Sequence, residues 1–229
     1  VPNLPDLNRD TLRRFLKAPR IRIENGGLQL QCAQGLEEQA ELLLQSVQGQ
    51  LGQQTPARFR CQVGPVLIKI SAEGELQQPD FMDENPISSP PRPDLTQACL
   101  LFGYELLLAS RTGAPGQAYS MLESVLVDPA ALIDPEVKLS RLARAFDGDS
   151  GWRLLGTSAL REGAPEPHYE PNAIHEIFRV RPSLLCAMSL PVGYQALFEG
   201  ETLLLTRNPE NHVVYQRKVI NPNLTRSES

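Results

Sequence analysis

Hydrophobic positions recur along this chain with two different periods, and the switches between them mark out its elements. "RIRIENGGLQLQC" (20–32) alternates apolar and polar on both sides of Asn25-Gly26-Gly27. That pattern predicts a hairpin, because Asn and Gly accept the positive φ of tight hairpin turns. "GLEEQAELLLQSVQGQLG" (35–52) instead puts Leu36, Ala40, Leu43, Leu44, Val47 and Leu51 on one helical face. Glu37 and Glu38 fall in its first turn, where the helix dipole favours negative charge. A shorter helix is expected over 9–17. Period two returns in "RFRCQVGPVLIKISAEGEL" (58–76), with Phe59, Cys61 and Val63 before a Gly-Pro break and Val66, Ile68 and Ile70 after it. Two strands follow from that alternation.

A proline-rich stretch, "NPISSPPRP", leads to Asp94, a good N-cap for "LTQACLLFGYELLLASR" (95–111), whose inner face would carry Leu95, Ala98, Cys99, Phe102 and Leu106. "RTGAPGQ" (111–117) is the best candidate boundary between two domains, 1–116 and 117–229. Beyond it the elements shorten. "ESVLVD" and "AIHEIFRV" read as strands, and "VKLSRLARAF" fits strand or helix. Arg181-Pro182-Ser183 opens a short helix "SLLCAM", since proline is tolerated in a first turn. "GYQALFEGETLLLTR" predicts a hairpin turning at Glu199-Gly200, and "HVVYQRKV" a last strand. The expected fold is α+β, two domains of mixed helix and strand content with mainly antiparallel sheets.

Composition narrows the function classes. Hydrophobic residues make up 41% and charged residues 21%, enough for a sizeable core and unlike a disordered chain. The longest apolar run, "ACLLFGYELLLAS", is interrupted by Glu105, so no membrane-spanning helix is expected. Cys32, Cys61, Cys99 and Cys186 are widely spaced within apolar stretches, which fits reduced buried thiols better than a metal or redox site. Cytoplasm is the expected compartment. A net charge of -5 argues against nucleic acid as a ligand and favours a basic protein partner.

One motif invites catalysis. "AFDGDSGWRLL" (145–155) contains the four letters that surround the nucleophilic serine of trypsin-like proteases. A triad of that order needs a histidine upstream, yet His168, His175 and His212 all lie downstream, and Trp152 follows Gly151. A calcium loop beginning at Asp147 would need Gly where Trp152 stands and Glu where Ser158 stands. No phosphate-binding or dinucleotide motif follows any strand. The expectation is no enzyme, no metal, no cofactor and no small-molecule substrate, with a hydrolase using Ser150 as the weakest reading. The plain reading is an anchored turn. Asp147, Asp149 and Ser150 cap backbone N–H groups, Gly148 and Gly151 permit the turn, and Trp152 plugs an apolar pocket. The sharper reading adds a partner-binding surface shaped by that turn.

These residues carry a resemblance. Asp149-Ser150-Gly151-Trp152, the downstream Pro182 before a short apolar helix, and Pro191-Val192-Gly193 leading into a strand with Phe198 together resemble the immunity protein 33 family, over roughly residues 120–206. Upstream, Pro79-Asp80-Phe81 and Asp94-Leu95-Thr96 are similar to segments of longer members. The resemblance implies a cognate antitoxin that binds and blocks one delivered toxin, for example a type VI secretion effector such as a nuclease. Asp147, Asp149, Trp152 and Tyr169 are the expected contact residues, and Gly148, Ser150 and Gly151 the structural turn. An adaptor or accessory protein of a secretion system is the alternative.

Overall fold

The computed structural model describes residues 4–52, 59–160 and 166–217. Helix α1 (Arg9–Lys17) starts where the Asn8 side chain accepts the Thr11 N–H at 2.7 Å, and buries Leu12 and Phe15. Strands β1 (Arg20–Asn25) and β2 (Leu28–Ala33) form the expected antiparallel hairpin, with Asn25 opposite Leu28. The tip is Gly26-Gly27, at φ 56° and 80°, the two-residue turn that matches the twist of the strands. Helix α2 (Glu37–Leu51) buries Ala40, Leu43, Leu44 and Val47, four of the residues its periodicity selected. Strands β3 (Arg60–Val63), β4 (Val66–Ile70) and the short β5 (Leu76–Gln77) make a second antiparallel sheet.

Helix α3 (Thr96–Thr112) has Leu95 at its N-cap position, one residue after the expected Asp94, whose carboxylate still accepts the Thr96 N–H at 3.0 Å, and it ends at Gly113 in the left-handed region. Its burial departs from the single expected face. Leu95, Ala98 and Cys99 are buried, but so are Leu100, Leu101, Tyr104 and Leu108, while Phe102 and Leu106 keep partial exposure. The reason is that α3 has neighbours on two sides: α2 and β2 from its own half, and the turn at Pro182–Ala187 from the other. A helix covered on two flanks has no single apolar stripe.

The second half builds one seven-stranded sheet, from β6 (Ser124–Val127), β7 (Glu136–Arg141), β8 (Asp149–Gly156), β9 (Glu170–Ala173), β10 (Gln195–Glu199), β11 (Thr202–Arg207) and β12 (Val213–Gln216). Its order is β12-β11-β10-β7-β8-β6-β9, antiparallel throughout except for β6 beside β8. The chain is therefore α+β, with mainly antiparallel sheets. "AIHEIFRV" is not a strand. Only Ala173 ends β9, and Ile174–Val180 form helix α4, which buries Ile174, Ile177 and Phe178, a spacing of three and four. The Glu176 carboxylate accepts the Ala173 N–H at 2.9 Å and fixes the helix start. The stretch "VKLSRLARAF" resolves into β7 up to Arg141, then irregular chain. Pro182–Ala187 form a 3₁₀ turn. The β10–β11 hairpin forms, but its two-residue loop is Gly200-Glu201, one residue later than expected, because Glu199 still pairs with Thr202; β12 follows, and the final residues of "HVVYQRKV" lie outside the described residues.

Every described strand pairing lies on one side of the expected 116/117 boundary. Buried residues of both halves nonetheless form one continuous apolar cluster. Backbone and side-chain bonds cross too: Met121 N–H donates to the Pro65 carbonyl at 3.1 Å and Gln62 Nε2 to the Tyr119 carbonyl at 2.6 Å. Cys32, Cys61 and Cys99 are buried free thiols, and Cys186 is partly exposed. Among the described residues, no helix is long and apolar enough to cross a membrane.

Candidate binding face

The sheet packs its inner face on the turn at 182–187, and on the opposite face most of the described side chains keep partial exposure. Alternation along β7 sends Val137, Leu139 and Arg141 inward, all at most 1% exposed, and Lys138 and Ser140 outward. Strand register lines the outward residues into rows. Arg207, Gln195, Ser140, Arg153 and Leu126 lie side by side across β11, β10, β7, β8 and β6. The next row holds Leu205, Leu197, Lys138 and Leu155. Two adjoining hollows run over these rows. One of about 350 Å³ lies between Lys138, Arg153, Leu155, Tyr169 and Gln195; the other, about 170 Å³, extends from Lys138 over Leu197 to Leu205 and Arg207.

The edge of this face is set by the Asp-Ser-Gly-Trp turn. Asp149 exposes none of its surface, and every acceptor position of its carboxylate is filled. One oxygen accepts the Gly151 N–H at 2.9 Å and an Arg153 N–H at 3.0 Å; the other accepts the Ala145 N–H at 2.9 Å and a second Arg153 N–H at 2.9 Å. Burial raises its pKa, but the Arg153 bonds and the two backbone donors outweigh that, so the group sits below the ordinary carboxylate value. Ser150 Oγ donates to the Ser124 carbonyl at 2.7 Å and accepts the Trp152 N–H at 3.3 Å. Gly151 adopts φ 83°, and a Cβ there would strike the Leu142 carbonyl oxygen, so only glycine fits.

Trp152 fills the core with 0% exposure, and its indole N–H donates to the Met188 carbonyl at 3.0 Å. Arg141, directly opposite it in register, lies 5.5 Å from the ring centroid and is 1% exposed. Its guanidinium donates to the carbonyls of Met188, Leu190 and Ala118, and burial lowers its pKa to about 10. Arg181 is held similarly, by the carbonyls of Ala131, Asp134, Pro135 and Gly200. Between the buried Arg141 and the buried Asp149, residues 142–148 are all exposed, with Leu142 at 53% and Phe146 at 47%. An Arg144–Glu123 ion pair at 2.8 Å ties this loop back to the turn before β6.

The expected contact residues therefore divide. Asp147 is exposed on the 142–148 loop, and Tyr169 is half-buried beside the larger hollow. Burial first, and then the Asp128 carboxylate, raise the Tyr169 phenol above its ordinary pKa. Asp149 and Trp152 are corrected from contacts to interior supports, because neither has surface to offer a partner. Of the expected turn residues, Gly148 lies in the turn that precedes β8, whereas Ser150 and Gly151 are already strand residues of β8, where the Ser150 hydroxyl and the positive φ of Gly151 shape the strand start. Ser150 is 1% exposed with its hydroxyl engaged, and no histidine is among its partners, so it is not placed as a nucleophile. Among the described residues, no group of three or more His, Cys, Asp or Glu side chains is placed to hold a metal ion.

Sequence reasoning missed Lys138, Leu142, Phe146, Arg153, Leu197, Leu205 and Arg207. For Lys138 and Leu197 the available signal was the alternation in "VKLSR" and "QALFE", which assigns the outward side chains once the strands are accepted, whereas Leu142 and Phe146 lie on irregular chain that carries no such period. Comparison with protein-family models, with curated proteins and with solved structures returns no match.

Proposed function

We propose that this chain is an immunity protein that binds one cognate bacterial toxin in a tight stoichiometric complex and blocks it without catalysing a reaction. The observation that carries this reading is the way Asp149 to Trp152, the residues of the family resemblance, hold an exposed loop beside a sheet face whose described side chains keep partial exposure. The motif is built as a scaffold, and the surface it supports is free to bind. Five strands spaced about 4.8 Å apart, at about 3.3 Å per residue over six residues, give a face of roughly 500 Å². With the side chains and the loop added, that is of the order of the ~800 Å² each partner contributes to a standard interface.

The toxin in this reading is an effector delivered by a competing cell, as type VI systems deliver them, and the complex forms in the cytoplasm. Protection at low toxin dose asks for nanomolar affinity or better, about -12 kcal/mol. The test is to express the product of the neighbouring gene in a sensitive host, with and without this chain, and to purify the pair. Restored growth together with a one-to-one complex supports immunity. Growth arrest despite co-expression, with the two proteins eluting separately, refutes it for that pair.

A further inference from the structure

Net charge and local charge disagree on this molecule. The chain carries -5 overall, yet the charged side chains bordering the two hollows of the open face are Lys138, Arg153 and Arg207, with no carboxylate among them. Arg153 is neutralised from beneath by Asp149. Lys138 and Arg207 have no ion-pair partner among the described residues; Arg207 donates only to the Asn211 carbonyl, at 3.0 Å. Leu197 and Leu205 lie side by side on the floor between them. Register puts Lys138 beside Leu197 on β7, and Arg207 two residues along from Leu205 on β11. Two strand spacings and two residues therefore separate the free cations, a span of about 12 Å.

Beyond the Lys138 row the sign reverses. Glu136 and Glu199 face each other across β7 and β10, both exposed, and close that end of the face. Like charges directly opposite one another are unfavourable, and they repel any acidic group placed there. A ligand carboxylate is thereby confined to the region of Lys138 and Arg207.

We propose that the open face takes an acidic protein segment: an extended stretch with carboxylates over Lys138 and Arg207 and an aliphatic side chain on Leu197 and Leu205. This deepens the immunity reading by naming the chemistry of the toxin surface that is covered, and it rests on that reading for its biological role. An acidic contact segment is compatible with the basic partner that the net charge favours, because local complementarity sets register and specificity, whereas net charge acts at longer range on encounter. The apolar floor distinguishes such a segment from a nucleic-acid strand, which would call for a longer track of cations.

The experiment uses the full chain, isotope-labelled, titrated separately with the capped peptides Glu-Leu-Glu-Leu-Glu and Lys-Leu-Lys-Leu-Lys and with a single-stranded oligonucleotide. The expected result is that the acidic peptide shifts the amide signals of Lys138, Gln195, Leu197 and Arg207. K138E/R207E should weaken that binding at least tenfold, and K138A alone should weaken it less. Unchanged thermal unfolding of both variants would show that the fold is intact. Equal or stronger response to the basic peptide, response to the oligonucleotide at the same residues, or no response of this face to the acidic peptide would each overturn the proposal. A positive peptide result with no growth rescue would leave the face chemistry standing and remove the immunity reading.

Discussion

The Asp149 carboxylate holds the start of β8 to the loop before it, and Asp149→Asn isolates that contribution. The substitution keeps shape and volume while replacing one acceptor oxygen by an NH2 group. Each carboxylate oxygen receives one backbone N–H and one Arg153 N–H. Whichever way the amide is turned, its NH2 therefore faces two donors, and Arg153, 12% exposed in its side chain, loses its counter-charge. Leaving a buried donor unpaired costs about 1–3 kcal/mol, and removing one partner of a buried ion pair about 3–5 kcal/mol. These describe overlapping losses, so about 3–4 kcal/mol is expected in all. For 229 residues unfolding cooperatively, an unfolding entropy of about 0.5 kcal/mol/K converts this to a Tm drop of about 6–8 °C.

Urea unfolding at pH 7 measures the difference directly, and repeating it in acid gives a second check. The folded-state pKa of Asp149 is depressed, so its contribution is fully present above the unfolded value near 4 and is lost as pH falls through the folded value. The gap between wild type and variant should therefore narrow below about pH 4. A loss under 1 kcal/mol at pH 7, or a gap that stays constant into acid, would refute the carboxylate as the element that holds the turn.

Ser150→Ala should cost about 1 kcal/mol by chemical denaturation, since it removes the hydrogen bond to the Ser124 carbonyl and the longer one from the Trp152 N–H, and leave any complex intact. Trp152→Phe should cost about 2–3 kcal/mol, because it leaves the Met188 carbonyl with one donor fewer and opens space in the core. Phe146→Ser, on the exposed loop, should leave stability within about 0.5 kcal/mol while weakening the toxin complex at least tenfold by calorimetry. Burial pushes the Glu105 carboxyl up to about 8, so the folded state keeps a proton that the unfolded chain has released above about 4. Stability should then fall as pH rises from about 4 to 8, by about 2 kcal/mol for this partly exposed group, and Glu105→Gln should flatten that slope.

The elements that periodicity predicted well are those with one dry side. Strand β2 and helix α2 each keep their buried residues on one face, Leu28, Leu30 and Cys32 on the strand and Ala40, Leu43, Leu44 and Val47 on the helix, although several elements share in covering that face, and their residues alternate or recur accordingly. Helix α3 was legible as a helix but not in its orientation, because both halves of the chain cover it. "AIHEIFRV" misled because Ile174, Ile177 and Phe178 lie too close together to separate helical spacing from an apolar strand, and Glu176, which starts the helix, reads equally well as an outward strand residue. The turn chemistry of Asp149 to Trp152 was written in the sequence, down to the tryptophan N–H needing an acceptor. Its contact role was not, because a motif of polar and aromatic letters does not say which of them face water. The candidate face itself is a product of register across five strands, and no local window of sequence contains it.

Arg141 and Arg181 illustrate a different economy of design. The hydrogen bonds of their buried guanidinium groups go to main-chain carbonyl oxygens, drawn from Ala118, Met188 and Leu190 in one case and from Ala131, Asp134, Pro135 and Gly200 in the other, while Arg141 Nε is buried without a partner. A carboxylate partner can be deleted by one base change, but a carbonyl is supplied by every amino acid. So long as the backbone keeps its course, the side chains at all seven of those positions can be exchanged without stranding either cation. Only the arginines themselves are irreplaceable, since a lysine ammonium cannot fan its donors across carbonyls that lie on opposite sides of a planar fork. Two single-residue commitments thus free several segments of this fold to diverge in sequence while its geometry stays put.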